Sequence, residues 1–179
     1  KTLAGRFPQA SISSPKGQML YENLKSDELR EAFKKIERLV RVRDRSVLEV
    51  RNRLDRDGFV ADVVDAAIDR ALSVGYLDDA RFADVLVRSR LRSGKGLSGI
   101  LRELRNHAID PFEQLEGFPE DYLRENPSQE EAAIALLCRK PPRSKNEKQA
   151  AYAKLIRSGY SVDIAAEATK RWYEAKNSK

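Results

Sequence analysis

Two carboxylates and a guanidinium stand within four residues at Asp78-Asp79-Ala80-Arg81, a grouping that could pass a proton or hold a substrate. A helical reading is simpler. Asp78 sits where a helix needs an N-cap, Asp79 falls in the first turn, where negative charge complements the dipole, and Arg81 is a solvent-facing partner. His107 is the sole histidine and has no cysteine near it in sequence, so it lacks the companions of a metal site. Cys138 follows Leu136 and Leu137 on an aliphatic helix face and reads as a buried structural thiol, with no histidine to act as its base. Phosphate-loop, dinucleotide and zinc spacings are missing. We therefore expect no catalytic residue, no metal and no cofactor.

Binding chemistry is better represented. Arg81, Arg88 and Arg92 fall on one helix face, and Lys95, Arg102 and Arg105 continue the charge into the next turn and helix. Such a patch suits DNA phosphates or the acidic loops of a protein. It belongs to a block pattern. Residues 81–105 carry seven basic side chains against Asp84 and Glu103, residues 110–131 carry eight acids against Arg124, and residues 139–157 carry seven basic groups against Glu147. Alternating patches of this kind fit a charged protein partner as well as nucleic acid.

The elements that must position these groups are helices. Leu54 to Phe59, Leu104 to Ile109 and Leu155 to Tyr160 each end a helix with the apolar pairing of a Schellman cap. The three leucines lie almost one fixed interval apart, at 54, 104 and 155. Gly58 and Gly159 supply the left-handed residue in two caps, and Ala108 takes that place in the middle one. A recurrent period of this size indicates tandem helical repeats, whose surface rather than a buried cleft carries function.

Residues 1–26, with Gly5, Pro8, Pro15 and Gly17, read as a flexible lead-in, and Ser26-Asp27 provides the first N-cap. Leu29, Phe33, Ile36 and Val40 then follow helical spacing, and Val47, Val50 and Leu54 line a second helix. Asp62 caps a third, with Val64, Ala67, Ile68, Ala71 and Leu72 inward. Asp78 opens the next, where Phe82, Val85, Leu86 and Ser89 share a face. Ile100, Leu101 and Leu104 follow the Gly94, Gly96 and Gly99 cluster. Pro111 to Leu123 is a helical segment interrupted by Gly117 and Pro119. Ser128 begins a capping box with Glu131, and Ala132, Ala133, Leu136 and Leu137 line its helix. Lys145–Ser158 and Asp163–Glu174 complete the set, and Trp172 and Tyr173 cover the last layer. The expected fold is all-α: an elongated array of three tandem three-helix repeats, about nine helices, at residues 27–76, 77–127 and 128–179.

Composition agrees with thin layers. Charged residues make up 35% and aromatics 7%, which suits a large surface better than a deep core. One cysteine excludes an internal disulfide framework and fits a reducing cytoplasm. No secretory signal and no apolar run long enough to span a membrane is found. The chain begins with Lys rather than Met, as a fragment or processed chain would.

The run Gly75-Tyr76-Leu77-Asp78-Asp79-Ala80-Arg81-Phe82-Ala83 is specific in this setting. It is followed by Arg88, Arg90, Gly94, Gly96 and Ile100-Leu101-Arg102-Glu103-Leu104. Together these resemble the signature segment of the RecX family, bacterial regulators of the RecA recombinase. Val42 to Ser46, with Glu49-Val50-Arg51 and Leu54, is similar to the start of the family's first helix pair, and Leu155 to Tyr160 to its third repeat. The resemblance spans about residues 35–175. It implies an array of three-helix repeats lying along the groove of a RecA–DNA filament, restraining strand exchange and coprotease activity in DNA repair, recombination and the SOS response. DNA phosphates within the filament are a further implied partner. The chain departs from the family at Ala108, where glycine is usual, and in the acidic 110–127 stretch. We expect a monomer with no membrane partner. The alternative is a direct nucleic-acid-binding helical module, for which the helices joined at Gly159-Tyr160 form a helix-turn-helix-like pair.

Overall fold

The computed structural model describes the backbone of residues 15–178, with side chains at Glu22 and from residue 24 onward. Within these residues the protein is all-helical. The helices are α1 (Pro15–Val42), α2 (Val47–Arg56), α3 (Ala61–Ser73), α4 (Asp79–Arg92) and α5 (Leu97–Arg105). After them come α6 (Pro111–Gln114), α7 (Glu120–Arg124), α8 (Gln129–Arg139), α9 (Glu147–Arg157) and α10 (Val162–Asn177). The chain divides inside α4 into two compact units, one ending at Phe82 and the other starting at Ala83.

The expected start of the first helix is corrected. Helix α1 begins at Pro15, not at Ser26-Asp27. Proline is tolerated in a first turn, and no Gly or Pro interrupts residues 18–42, so the helix runs straight through Ser26. Residues 1–14 of the expected lead-in lie outside the described residues. The interrupted segment from Pro111 forms two short helices, which brings the described residues to ten helices, in keeping with the about nine expected. Gly117, at φ 68°, and Pro119 separate them, because the residue before a proline is pushed out of the helical region. Asp110 caps α6 by accepting from the Phe112 amide.

In the first unit, α1, α2 and α3 enclose Ala32, Ile36, Val50, Leu54, Val63, Val64, Ala67, Ile68, Ala71 and Leu77. Leu29, Phe33, Val40 and Val47 pack on its rim. Leu72 is 43% exposed instead of inward, and Val63 takes its place. Each four-residue step advances about 40° around a helix, so the Val64-Ile68-Leu72 row drifts away from the core.

In the second unit, α8, α9 and α10 enclose Ala133, Leu137, Ala151, Leu155, Tyr160, Ala165, Ala168 and Trp172. Along α4, Phe82, Ala83, Leu86, Val87 and Leu91 are buried, whereas Val85 and Ser89 are exposed. Small Ala83 extends the buried row to Val87 and Leu91 at four-residue spacing and so turns Val85 outward. Cys138 is exposed, not buried. Leu137 occupies the core position, and the next residue lies about 100° farther round the helix.

The three helix ends share one geometry. The amides of Phe59, Ile109 and Tyr160 donate to the carbonyls of Leu54, Leu104 and Leu155 at 3.3, 3.1 and 3.1 Å. Gly58, Ala108 and Gly159 bond two residues closer, each at 3.0 Å, as a Schellman cap requires. Leu54, Leu104 and Leu155 are fully buried. Ala108 has φ 58° and is the one non-glycine in the left-handed region among the described residues. Its Cβ costs roughly 1 kcal/mol there. Ala108→Gly is expected to stabilise by a few tenths to about 1 kcal/mol, read as a rise in the thermal midpoint.

A second contact recurs at the same interval. The Val47 amide at the start of α2 donates to Asp79 Oδ1 at 2.8 Å. The Leu97 amide at the start of α5 donates to Gln129 Oε1, also at 2.8 Å. Both partners have moved on by 50 positions, 47 to 97 and 79 to 129. In each case the first turn of a later helix satisfies an amide that α2 or α5 leaves without an intrahelical acceptor.

Glycines bring α5 against the cap of α9. The Gly96 amide donates to the Ser158 carbonyl at 3.0 Å, and the Gly99 amide to the Gly159 carbonyl at 2.9 Å. Tyr160 reaches over the same seam, its hydroxyl donating to the Gly94 carbonyl at 2.7 Å. Burial pushes the Tyr160 phenol up to about 12, so it remains a donor at any physiological pH.

Candidate interaction surface

The Gly75–Phe82 run performs structural work along its length. Gly75, at φ 73°, closes α3, with the Tyr76 amide bonded to the Ala71 carbonyl at 2.8 Å. The Tyr76 ring stacks on Phe33 at 5.7 Å, and Leu77 and Phe82 are buried. Asp78 caps α4 by accepting from the Arg81 amide at 2.9 Å. Asp79 does more than complement the dipole, since it anchors the start of α2. Arg81 closes the arrangement, 3.3 Å from Asp44 and 3.3 Å from the Gly75 carbonyl. Its guanidinium is spent on its own unit.

In the second unit the expected basic residues separate into two groups. Arg88 donates to Asp84 at 2.9 Å and to Glu125 at 2.5 Å, and lies 4.7 Å over the Tyr122 ring. The Asp84 hydrogen bond is the main cause holding its guanidinium above the ordinary value. Tyr122 donates to the same Asp84 oxygen at 2.7 Å, and burial together with that bond pushes its phenol up to about 12. Lys95 pairs with Glu103 at 2.6 Å, beside Arg90, whose Nη2 also reaches Glu103 at 2.6 Å. Arg88 and Lys95 are therefore internal fasteners. Arg92, Arg102 and Arg105 are exposed and make no ion pair among the described residues. Arg105 also borders an open cleft of about 290 Å³ with Leu101, Pro111 and Phe112, whose ring is 61% exposed.

Glu103 is the electrostatic centre of this region. Hydrogen bonding from Arg90, reinforced by Lys95, outweighs burial and holds its carboxyl at about 2. Because the folded value lies below the ordinary 4.5, the stabilisation is complete above pH 4.5 and fades as pH falls toward 2. Glu103→Gln is expected to cost on the order of 1–2 kcal/mol at neutral pH, allowing for the half-exposed partners, and nothing near pH 2. Thermal midpoints of the two proteins measured across that range should converge.

A second cationic cluster lies at the end of α8 and was missed as a site in the sequence, where only its basic block was visible. Lys154 Nζ donates to the Lys140 carbonyl. Burial, then the like charges of Lys140 and Arg139, hold the Lys154 amine below its ordinary value. Arg139, Lys140 and Lys154 pair with no carboxylate among the described residues. The single tryptophan, Trp172, is 6% exposed in the α8–α10 core. His107 is half-buried. Among the described residues no cluster of three His, Cys, Asp or Glu could hold a metal, and no helix is long and apolar enough to cross a membrane.

These elements correspond to known proteins. A family model described as RecX, first three-helix domain, matches residues 32–70, and one described as RecX, second three-helix domain, matches residues 78–112. The regulatory protein RecX of Bacillus licheniformis is 32% identical over 151 residues, spanning 79% of this chain and 55% of that protein. The regulatory protein RecX of Mycolicibacterium smegmatis is 40% identical over 74 residues, or 41% of this chain and 39% of that protein. The chain thus spans between two-fifths and just over half of these relatives. A crystal structure of regulatory protein RecX shares the fold at TM-score 0.64 and 17% identity, over 82% of this chain and 74% of that one. The crystal structure of RecX from Lactobacillus salivarius does so at 0.61 and 20%, over 82% of this chain and 97% of that one. With both domain models, the sequence relatives and the fold in agreement, this chain belongs to the RecX family.

Proposed function

We propose that this chain is a cytoplasmic regulator that binds a RecA–DNA filament and restrains its recombinase and coprotease activity in DNA repair, recombination and the SOS response. Family membership is the observation that carries this reading. The relatives are named as regulatory proteins. The recurring amide contacts at Asp79 and Gln129 support it physically. A repeated layer can meet successive subunits of a helical polymer, and each added contact gains from effective concentration. Arg92, Arg102 and Arg105 are the groups we assign to the filament, for recombinase carboxylates or for DNA phosphate within it.

The unpaired cations at Arg139, Lys140 and Lys154 favour a second reading, in which the chain binds nucleic acid without a recombinase. RecA-driven ATP hydrolysis on single-stranded DNA separates the two. Titrated with this protein, hydrolysis should be suppressed at well below one copy per recombinase subunit. No effect at any ratio would leave the direct DNA-binding reading.

A further inference from the structure

The first unit holds a small cleft outside every group discussed so far. Its volume is about 220 Å³, and it is lined by Leu39 of α1, by Arg45 of the α1–α2 linker, and by Glu49, Asn52, Arg53 and Arg56 of α2. Three guanidinium groups thus meet at a site with one carboxylate in its wall, and that carboxylate is already engaged. Arg43 reaches Glu49 through two bonds, of 2.6 and 3.1 Å, and the Ser46 amide adds a third at 3.4 Å.

Arg45 approaches Glu49 only to 3.6 Å, beyond hydrogen-bond length. Its Nε is buried and has no acceptor among the described residues, although native proteins seldom leave a buried donor unmet. Arg56 spends its Nε on the Asn52 carbonyl at 3.1 Å and makes no ion pair among the described residues. Arg53 pairs with Asp57, which Lys35 also holds. Arg43, Arg45, Arg53, Arg56 and Lys35 therefore face Glu49 and Asp57, a surplus of three positive charges.

We propose that this cleft receives a carboxylate side chain from an acidic, partly apolar segment of a protein partner. The planar fork of arginine fits a carboxylate through paired N–H bonds, and the exposed Arg56, with the 24% of the Arg45 side chain that remains open, is placed to offer them. At about 220 Å³ the cleft has room for a carboxylate side chain. Leu39 gives an apolar wall for the methylenes of a glutamate. A phosphodiester strand is less well matched, because Glu49 interrupts the cationic track it would follow. The inference concerns the first unit alone and stands apart from the filament reading, since it needs neither DNA nor a recombinase.

The test is a titration of the full chain, with labelled arginine side chains observed by NMR. The probes are a short alternating Leu-Glu peptide, its Leu-Gln counterpart and an oligothymidylate. The Nε–H signals of Arg45 and Arg56 should shift with the glutamate peptide and not with the glutamine one. Arg56→Gln, at an exposed position, should weaken binding about tenfold while helical circular dichroism is unchanged. Arg45→Lys, which keeps the charge and loses the fork, should weaken it too. Unmoved signals, an equal response to the glutamine peptide, or engagement of these arginines by oligothymidylate alone would each overturn the assignment.

Discussion

Replacing Gly99 by alanine is expected to destabilise the second unit by roughly 2–4 kcal/mol, although alanine is the better helix former. Propensity alone favours the change by about 1 kcal/mol, since Gly99 lies within α5. Sterics decide the other way. A Cβ at Gly99 would stand 2.7 Å from the Gly159 Cα, an atom of backbone that cannot rotate aside. At Gly96 the clash is tighter, 2.3 Å from the Gly159 carbonyl carbon and oxygen. Relief requires α5 to move off the α9 cap, which gives up the Gly96–Ser158, Gly99–Gly159 and Tyr160–Gly94 hydrogen bonds together. Gly58→Ala is the contrast. It has open space around its Cβ and only a φ of 88° against it, so its cost is about 1 kcal/mol. Denaturation followed by Trp172 fluorescence reports on the second unit directly, because that ring sits in the α8–α10 core. An unchanged midpoint for Gly99→Ala would show that the seam does not hold the unit together.

Reversing charge at Arg92, Arg102 and Arg105 together should weaken filament binding about a hundredfold at low salt, with helical content unchanged. Each reversal changes an exposed contact by about 1 kcal/mol, and 1.4 kcal/mol is a factor of ten. The effect should shrink as salt rises, because exposed charges are screened. Arg88 is the informative control. Arg88→Glu would place a third acid beside Asp84 and Glu125, so its main effect should fall on stability rather than on binding. Equal affinity of the triple variant and the native chain would remove these arginines from the interface.

How much of this could be read from sequence depended on the range of the interaction. The three caps and the Ser128 box were readable, because their signals lie within about six residues and follow backbone geometry. The repeat followed from them. Exact facing did not: Leu72, Val85 and Cys138 were each placed inward on plausible spacing, and each lies just beyond the edge of its helix's buried stripe. The Gly99–Gly159 seam joins residues sixty positions apart, and nothing in either glycine's neighbourhood names the other. The division within the basic patch was hidden for the same reason. Arg88 with Asp84 is a four-residue helix pair visible in sequence, but Glu125, Glu103 with Arg90, and Asp44 with Arg81 come together only through the fold. Counting charge located the region and could not tell fasteners from exposed groups.

Sedimentation of this chain with recombinase filaments on single-stranded DNA, beside naked duplex DNA in moderate salt, bears most directly on the function proposed here. The chain should saturate filaments at concentrations that leave the duplex unbound. Equal or tighter capture by duplex DNA without recombinase would contradict it.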